Sequence, residues 1–185
     1  DSKLNKIYED SNEYYNVARD DIFLENYNKL IESINQHVYL YLMNVGYVSP
    51  DFAGINKSNF HLFFKEKSDC PEFGVDTIPI GVSSVCLRKY RKNGGGFHSP
   101  HFDAKSYPMR LVAVLIYLND IKHGGETEFP LINRAIYPKK GRIAIFPSSF
   151  THIHYGKESN SDKYIIASHV ALYPDLKINK SKEKK

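Results

Sequence analysis

The clearest pattern in the chain is a stripe of apolar residues in its first quarter. Its members recur at spacings of three and four: Leu24, Tyr27, Ile31, Ile34, Val38 and Tyr41. Because an α-helix completes one turn in about 3.6 residues, this spacing places them on one side of a helix. We therefore predict a helix over about residues 21–43 that packs this stripe against a sheet.

The second half of the chain favours β-structure. Four short runs rich in β-branched and aromatic residues are separated by clusters of Gly, Pro, Asn and Asp, and they cover residues 82–91, 111–118, 142–146 and 163–172. Residues 44–80 show no sustained period and are predicted to be irregular. One helix followed by many short strands predicts an α+β, mainly β protein built on a double-sheet jelly roll.

Length and composition fit a single globular domain. The chain has 185 residues, of which 42% are hydrophobic and 25% are charged. We expect one domain over residues 1–175, with helical support at about 16–45 and the jelly roll at about 80–173. Cys70 and Cys86 stand apart from any metal-binding or disulfide pattern and are expected to be free thiols.

Charge and hydropathy exclude several classes of partner. Residues 176–185 contain five Lys and one Glu, which account for the whole net charge of +4, and we expect a solvated, disordered tail there. A neutral body argues against a nucleic-acid partner, because such proteins contact phosphates through a basic surface. The chain has neither an apolar run of roughly 20 residues nor a signal-like N-terminus, so we expect no membrane association and a cytoplasmic location.

The candidate chemistry begins in the segment GGGFHSPHFDA, which contains His101 and Asp103. Residues two apart on an extended strand point to the same side, so both can contact one ion. A histidine some fifty residues later, in THIHYG, would complete a set of two imidazoles and one carboxylate, which is typical of non-haem iron(II). Strand alternation alone leaves His152 and His154 equally suitable, because both would lie on one side of an extended segment.

Eight short sequence pieces follow one another between Tyr90 and Val170. They are Tyr90 with the glycines at 94–96, HFD at 101–103, Arg110, LIYLND at 115–120, GGETEFP at 124–130, KKGRIAIFP at 139–147, HYG at 154–156 and KYI at 163–165. In this order they resemble the catalytic core of the prolyl 4-hydroxylase-like branch of the 2-oxoglutarate dioxygenases. Eight pieces in order are far more specific than any one of them. The resemblance implies a double-stranded β-helix with the metal at one open end.

The same resemblance implies the metal ligands and the cofactors. His101, Asp103 and His154 would bind iron(II), with 2-oxoglutarate as co-substrate, dioxygen as oxidant and ascorbate (vitamin C) as reductant. His154 is preferred to His152 because the family order places a glycine two residues after the ligand and a basic residue nine after it. Gly156 and Lys163 stand at those positions.

The resemblance also implies a co-substrate pocket. Lys163 would pair with the distal carboxylate of 2-oxoglutarate, Tyr117 would donate its hydroxyl to the same group, and Tyr90 would lie near the oxoacid. Many family members have Trp at the position of His169, so a structural and a functional role for this histidine both stay open.

Strand alternation predicts which neighbours share the pocket side. One set is Lys163, Ile165, Ala167 and His169, and the other is Leu111, Ala113, Leu115 and Tyr117. Three arginines near the motifs are expected to be structural: Arg88, Arg110 and Arg142.

The implied reaction converts 2-oxoglutarate to succinate and carbon dioxide while a substrate C–H bond is hydroxylated. Peptidyl proline, in a peptide or protein, is the expected substrate, because the motifs are most similar to those of prolyl 4-hydroxylases. A nucleic-acid demethylase of the same superfamily is one alternative, against which the neutral body and a Lys rather than an Arg anchor argue. A non-catalytic jelly-roll binding module is the other, against which the complete ligand set argues. The motifs carry no prediction of oligomeric state.

Overall fold

The structure is a computed structural model that describes residues 6–9, 12–16, 24–45, 80–104 and 109–172. Within these ranges the chain forms one α-helix, nine β-strands and two short 3-10 turns, at Pro130–Ile132 and Phe150–His152. The helix and strands are β1 (Lys6–Glu9), β2 (Asn12–Asn16), α1 (Leu24–Asn44), β3 (Ile80–Tyr90), β4 (Met109–Tyr117), β5 (Thr127–Phe129), β6 (Arg134–Ile136), β7 (Ile143–Pro147), β8 (Tyr155–Gly156) and β9 (Lys163–Leu172).

The strands form two antiparallel sheets. The larger has the order β1-β2-β3-β9-β4-β7 and the smaller the order β6-β5-β8. The last strand of the described chain, β9, lies in the middle of the larger sheet between β3 and β4. The prediction of a mainly β chain with one helix is confirmed for the described residues.

Helix α1 covers one face of the larger sheet. Its buried residues are spaced three or four apart, as the apolar stripe predicted: Ile31, Ile34, Val38 and Leu42. Three of them, Ile34, Val38 and Leu42, form one hydrophobic core with residues of β4 and β9, namely Val112, Val114, Ile116 and Val170. Each fully buried aliphatic side chain of this kind contributes about 1.5 to 3 kcal/mol relative to an exposed one.

The two central strands β4 and β9 are buried on both faces. In β9, Ile166 and Val170 pack in the core under α1, while Ile165 and Ala167 belong to a second buried cluster that includes Tyr117. Lys163 and His169, which share the alternation of Ile165 and Ala167, are buried as well. The face away from α1, which we call the inner face, therefore carries the grouping predicted for β9.

Leu111 departs from the predicted grouping because β4 contains a bulge. The pairing of β4 with β9 shifts between Arg110 and Val112, so that Arg110 pairs with Ala171 and Val112 with Val170. Leu111 packs against the core under α1. An extra residue in one strand re-aims its neighbours, and Arg110 rather than Leu111 is therefore in register with the inner-face residues of β9.

Several predictions concern residues that the structure does not describe. The irregular segment at 46–79, Cys70, the start of the helix at 21–23 and the tail at 176–185 lie outside the described residues. Cys86 on β3 is a free cysteine. Among the described segments, α1 included, no helix combines the length and the apolar character that crossing a membrane requires.

The packing of α1 predicts a contrast between two aliphatic residues of the same helix. Ile34 is fully buried, whereas Leu40 is 50% exposed. We expect Ile34→Ala to lower the free energy of unfolding by about 2 to 5 kcal/mol, because it leaves a cavity against the sheet. Leu40→Ala is the matched control and should change it by less than about 0.5 kcal/mol. Urea denaturation of the metal-free proteins measures both, and equal effects would contradict this packing.

Candidate metal centre

Two of the predicted ligands are joined directly through the backbone. The amide of His101 donates to the carbonyl of His154 at 3.0 Å, and the amide of His154 donates back to the carbonyl of His101 at 2.9 Å. The amide of Gly156 continues this pairing by donating to the carbonyl of Phe97 at 2.8 Å. These bonds hold the loop at 91–104 against the segment that leads into β8.

Asp103 is held by the chain that follows β7. Its amide donates to the carbonyl of Ser148 at 3.0 Å, and the amide of Ser148 donates to the carbonyl of Leu111 at 2.9 Å. The carboxylate then lies between the two histidines. Its Oδ1 is 3.7 Å from Nε2 of His101, and its Oδ2 is 3.7 Å from Nε2 of His154. The potential ligand atoms of the three residues all lie within 4.8 Å of one another.

The hydrogen bonds of the two histidines define which ring nitrogen can bind a metal. Nδ1 of His101 lies 2.9 Å from the carbonyl of Ser99, and Nδ1 of His154 lies 3.0 Å from the carbonyl of His152. A carbonyl only accepts, so Nδ1 carries the hydrogen in both rings. In a neutral imidazole Nε2 is then unprotonated, and it directs its lone pair towards Asp103.

The electrostatics of this group favour a bound cation. Burial lowers the pKa of His154, so its ring is neutral near pH 7. Burial also opposes ionisation of Asp103, but a hydrogen bond from His169 and the nearby imidazoles outweigh it and hold the pKa of Asp103 at about 2. Two imidazole nitrogens and one carboxylate therefore converge, an arrangement that a cation lying among them would stabilise. The donor set of two imidazoles and one carboxylate suits iron(II).

His152 and His154 are separated by a change in backbone conformation. Phe150–His152 forms a 3-10 turn, so the extended segment that would place both rings on one side is absent here. The ring of His152 is half-buried and contacts Thr151, with 3.0 Å between its Nδ1 and the Thr151 hydroxyl. Only its backbone carbonyl reaches His154. The structure brings His154 to Asp103 and leaves the His152 ring outside the potential ligand group.

Lys163 is a buried cation on the inner face, only 3% exposed. Its ammonium donates to the carbonyl of Gly125 at 2.9 Å and lies 4.9 Å from the centre of the Tyr90 ring. Burial lowers the pKa of Lys163 to about 8, although the charge of Glu126 acts in the opposite direction. Tyr90 is buried beside it, and its hydroxyl accepts a hydrogen bond of 3.4 Å from Arg88.

Tyr117 lies in the same buried cluster as Tyr90. Its hydroxyl is 2.7 Å from the hydroxyl of Thr127, and burial raises the pKa of Tyr117 to about 12. Thr127 is buried and comes two residues after Gly125, which binds Lys163. Thr127 was not predicted as a site residue. Its alternation with Phe129 in the short run TEF was the signal available, since both side chains are buried while Glu128 between them is half-buried.

His169 belongs to the metal side of the inner face. It is buried, and its Nε2 lies 3.4 Å from Oδ2 of Asp103. This separation is shorter than the 3.7 Å between Asp103 and either of the other two histidines. Burial lowers the pKa of His169, and the charges of Arg110 and Arg88 act in the same direction.

Comparison with known proteins finds a similarity to one oxygenase superfamily. Residues 85–171 match the sequence model of the 2OG-Fe(II) oxygenase superfamily. This range contains all six residues predicted for the site. Prolyl 4-hydroxylase subunit alpha-2 of Gallus gallus is 37% identical over 65 residues, a match that covers 30% of this chain and 12% of that protein. The chain therefore spans only a small part of this relative's length.

One solved structure shows a similar fold. A prolyl-4-hydroxylase from Pseudomonas putida superposes with a TM-score of 0.56 at 12% identity, over 86% of this chain and 71% of that chain. A prolyl hydroxylase from Trichoplax adhaerens, solved with a hypoxia inducible factor oxygen degradation domain peptide fragment, has a TM-score of 0.45 at 26% identity. That match covers 51% of this chain and 46% of the other. Over residues 85–171 this chain is therefore similar to the 2OG-Fe(II) oxygenase superfamily.

Proposed function

We propose that this chain is an iron(II)- and 2-oxoglutarate-dependent dioxygenase whose metal is held by His101, Asp103 and His154. The observation that carries the proposal is the convergence of two imidazole lone pairs on one ionised carboxylate within the family's matched range. When bound, iron(II), 2-oxoglutarate and dioxygen supply the oxidation that yields succinate and carbon dioxide and hydroxylates a substrate C–H bond, with ascorbate as reductant.

The protein's own groups hold and orient these reactants. His101, Asp103 and His154 would supply three ligands to iron(II), and 2-oxoglutarate and dioxygen would bind to the same ion. Nδ1 of each histidine is fixed by a backbone carbonyl, so each ring keeps the orientation in which Nε2 faces the metal.

The distal carboxylate of 2-oxoglutarate would bind at the Lys163 end of the inner face. The ammonium of Lys163 pairs with it, and the hydroxyls of Tyr117 and Thr127 donate hydrogen bonds. These groups meet at the segment from Gly125 to Thr127, which contacts both Lys163 and Tyr117. Tyr90 covers the ammonium with its ring and helps to exclude water from the pair.

The fold proposal follows from the same elements. The two antiparallel sheets would be the two halves of a double-stranded β-helix, with α1 supporting the larger one from outside. In this arrangement residues 1–175 form one domain and 176–185 a basic tail.

Peptidyl proline is the proposed substrate. The Gallus gallus relative is the alpha-2 subunit of a prolyl 4-hydroxylase, and its 37% identity over 65 residues supports this choice of substrate. A charge-neutral body over residues 1–175 disfavours a nucleic-acid substrate.

The metal assignment predicts opposite behaviour for two neighbouring histidines. His154→Ala should abolish iron(II) binding and succinate formation, because it removes a ligand, and Asp103→Ala should do the same. His152→Ala should keep both, because His152 contacts His154 through its backbone carbonyl, which the substitution leaves in place. Anaerobic titration with iron(II) measures binding directly. Normal binding by His154→Ala together with loss in His152→Ala would reverse the assignment.

The co-substrate assignment predicts a loss at Lys163. Lys163→Ala should raise the apparent Michaelis constant for 2-oxoglutarate at least a hundredfold, since a desolvated charge without its partner costs about 3 to 5 kcal/mol. The affinity should also depend on pH, because the free protein's Lys163 is charged below its pKa of about 8 and neutral above it. Binding should therefore be constant below pH 7 and weaken as pH rises beyond 8.

Lys163→Arg is the control for this pH dependence, because a guanidinium stays charged throughout that range. Calorimetric titration of 2-oxoglutarate into Mn(II)-loaded protein between pH 6.5 and 9.5 measures binding without turnover. An unchanged constant in Lys163→Ala would show that Lys163 does not contact the co-substrate.

The substrate proposal predicts a product of defined mass. Proline-containing peptides incubated with the enzyme, iron(II), 2-oxoglutarate and ascorbate should gain one oxygen atom on proline. Tandem mass spectrometry locates the added atom, and matched peptides with alanine in place of proline are the control. Oxidation of a methylated nucleobase instead, with every peptide unchanged, would favour the demethylase alternative.

A further inference from the structure

We infer that His169 is a positioning residue for the metal centre, which orients the carboxylate of Asp103 by donating a hydrogen to it. The inference rests on the proposed function, because it takes Asp103 as a metal ligand. It concerns a residue that neither the motifs nor the family match assigns to the site.

Geometry places His169 at the carboxylate rather than at the metal. Its Nε2 is 3.4 Å from Oδ2 of Asp103, the shortest of the three nitrogen to oxygen separations around this carboxylate. The ring is only 6% exposed, and it projects from the middle of the larger sheet. Across the sheet His169 pairs with Ala113, whose short side chain leaves room for the imidazole on the inner face.

His169 differs from the two proposed ligands in which ring nitrogen carries the hydrogen. In His101 and His154, Nδ1 donates to a backbone carbonyl, so Nε2 is left with a lone pair. In His169 it is Nε2 that faces the carboxylate, and an ionised carboxylate only accepts hydrogen bonds. Nε2 of His169 therefore carries a hydrogen and points it at Asp103. A nitrogen in that state cannot bind a metal.

This contact has a defined consequence for the metal centre. A hydrogen bond donated to Oδ2 restrains rotation of the carboxylate and leaves Oδ1, which faces His101, available to a cation. Groups that orient a ligand in this way typically change metal affinity by about 10- to 100-fold when they are removed. The expected effect is therefore a weakened site rather than a lost one.

The test compares two substitutions of similar shape at one position. His169→Gln retains an N–H donor, whereas His169→Met fills a similar volume without one. Mn(II) affinity of each full-length protein is measured by titration under anaerobic conditions, so that no turnover is required. We expect His169→Met to bind Mn(II) about 10- to 100-fold more weakly than the wild-type protein. His169→Gln should recover most of that loss.

Two reference variants mark unchanged and completely lost Mn(II) binding. His37→Leu removes a half-buried histidine of α1 that bonds only within the helix, and it should leave Mn(II) affinity unchanged. Asp103→Ala marks complete loss of the site. Equal affinities for His169→Met and wild type, equal losses in Met and Gln variants, or complete loss in His169→Met would each overturn the inference. A wild-type protein that binds no Mn(II) would instead overturn the proposed function, and this inference with it.

Discussion

The site depends on β9 being buried on both of its faces. Ile166 and Val170 pack in the core under α1, while Lys163 and His169 lie on the opposite, inner face. Because side chains alternate along a strand, one set of residues can stabilise the fold while the other carries polar groups. Burial of Lys163 costs free energy, as its pKa of about 8 shows. The aliphatic packing against α1 offsets this cost and keeps the polar inner face in place.

The metal centre is held together by main-chain hydrogen bonds between segments that are distant in sequence. The reciprocal bonds of His101 and His154 join the loop before β4 to the segment before β8, and the bond from Asp103 to Ser148 adds the end of β7. These bonds do not involve the side chains that would bind the metal. Replacing a ligand side chain therefore leaves the framework in place, so that changes in metal binding report on the ligand and not on folding.

Elements long enough to show a period were predictable from the sequence. The helix expected at 21–43 is Leu24–Asn44, and the run expected at 163–172 is the strand Lys163–Leu172. Strands of two or three residues cannot show a period, which is why β6 and β8 were not found. The bulge at Leu111 could not be predicted from the sequence either, because one extra residue reverses the alternation of side chains without changing the composition.

The candidate site could also be predicted only in part from the sequence, as His101, His154 and His169 show. Motif order was enough to select His101 and His154, but it left the role of His169 open. The two selected histidines each bond through Nδ1 to the carbonyl two residues earlier, outside the regular strands.

His169 lies inside a continuous strand, paired on both sides, where the carbonyls belong to the sheet ladder. Its Nε2 therefore faces Asp103 as a hydrogen-bond donor, whereas Nε2 of His101 and His154 carries a lone pair. The chemistry of each histidine thus follows from the local path of the backbone, which residue type and spacing alone do not encode.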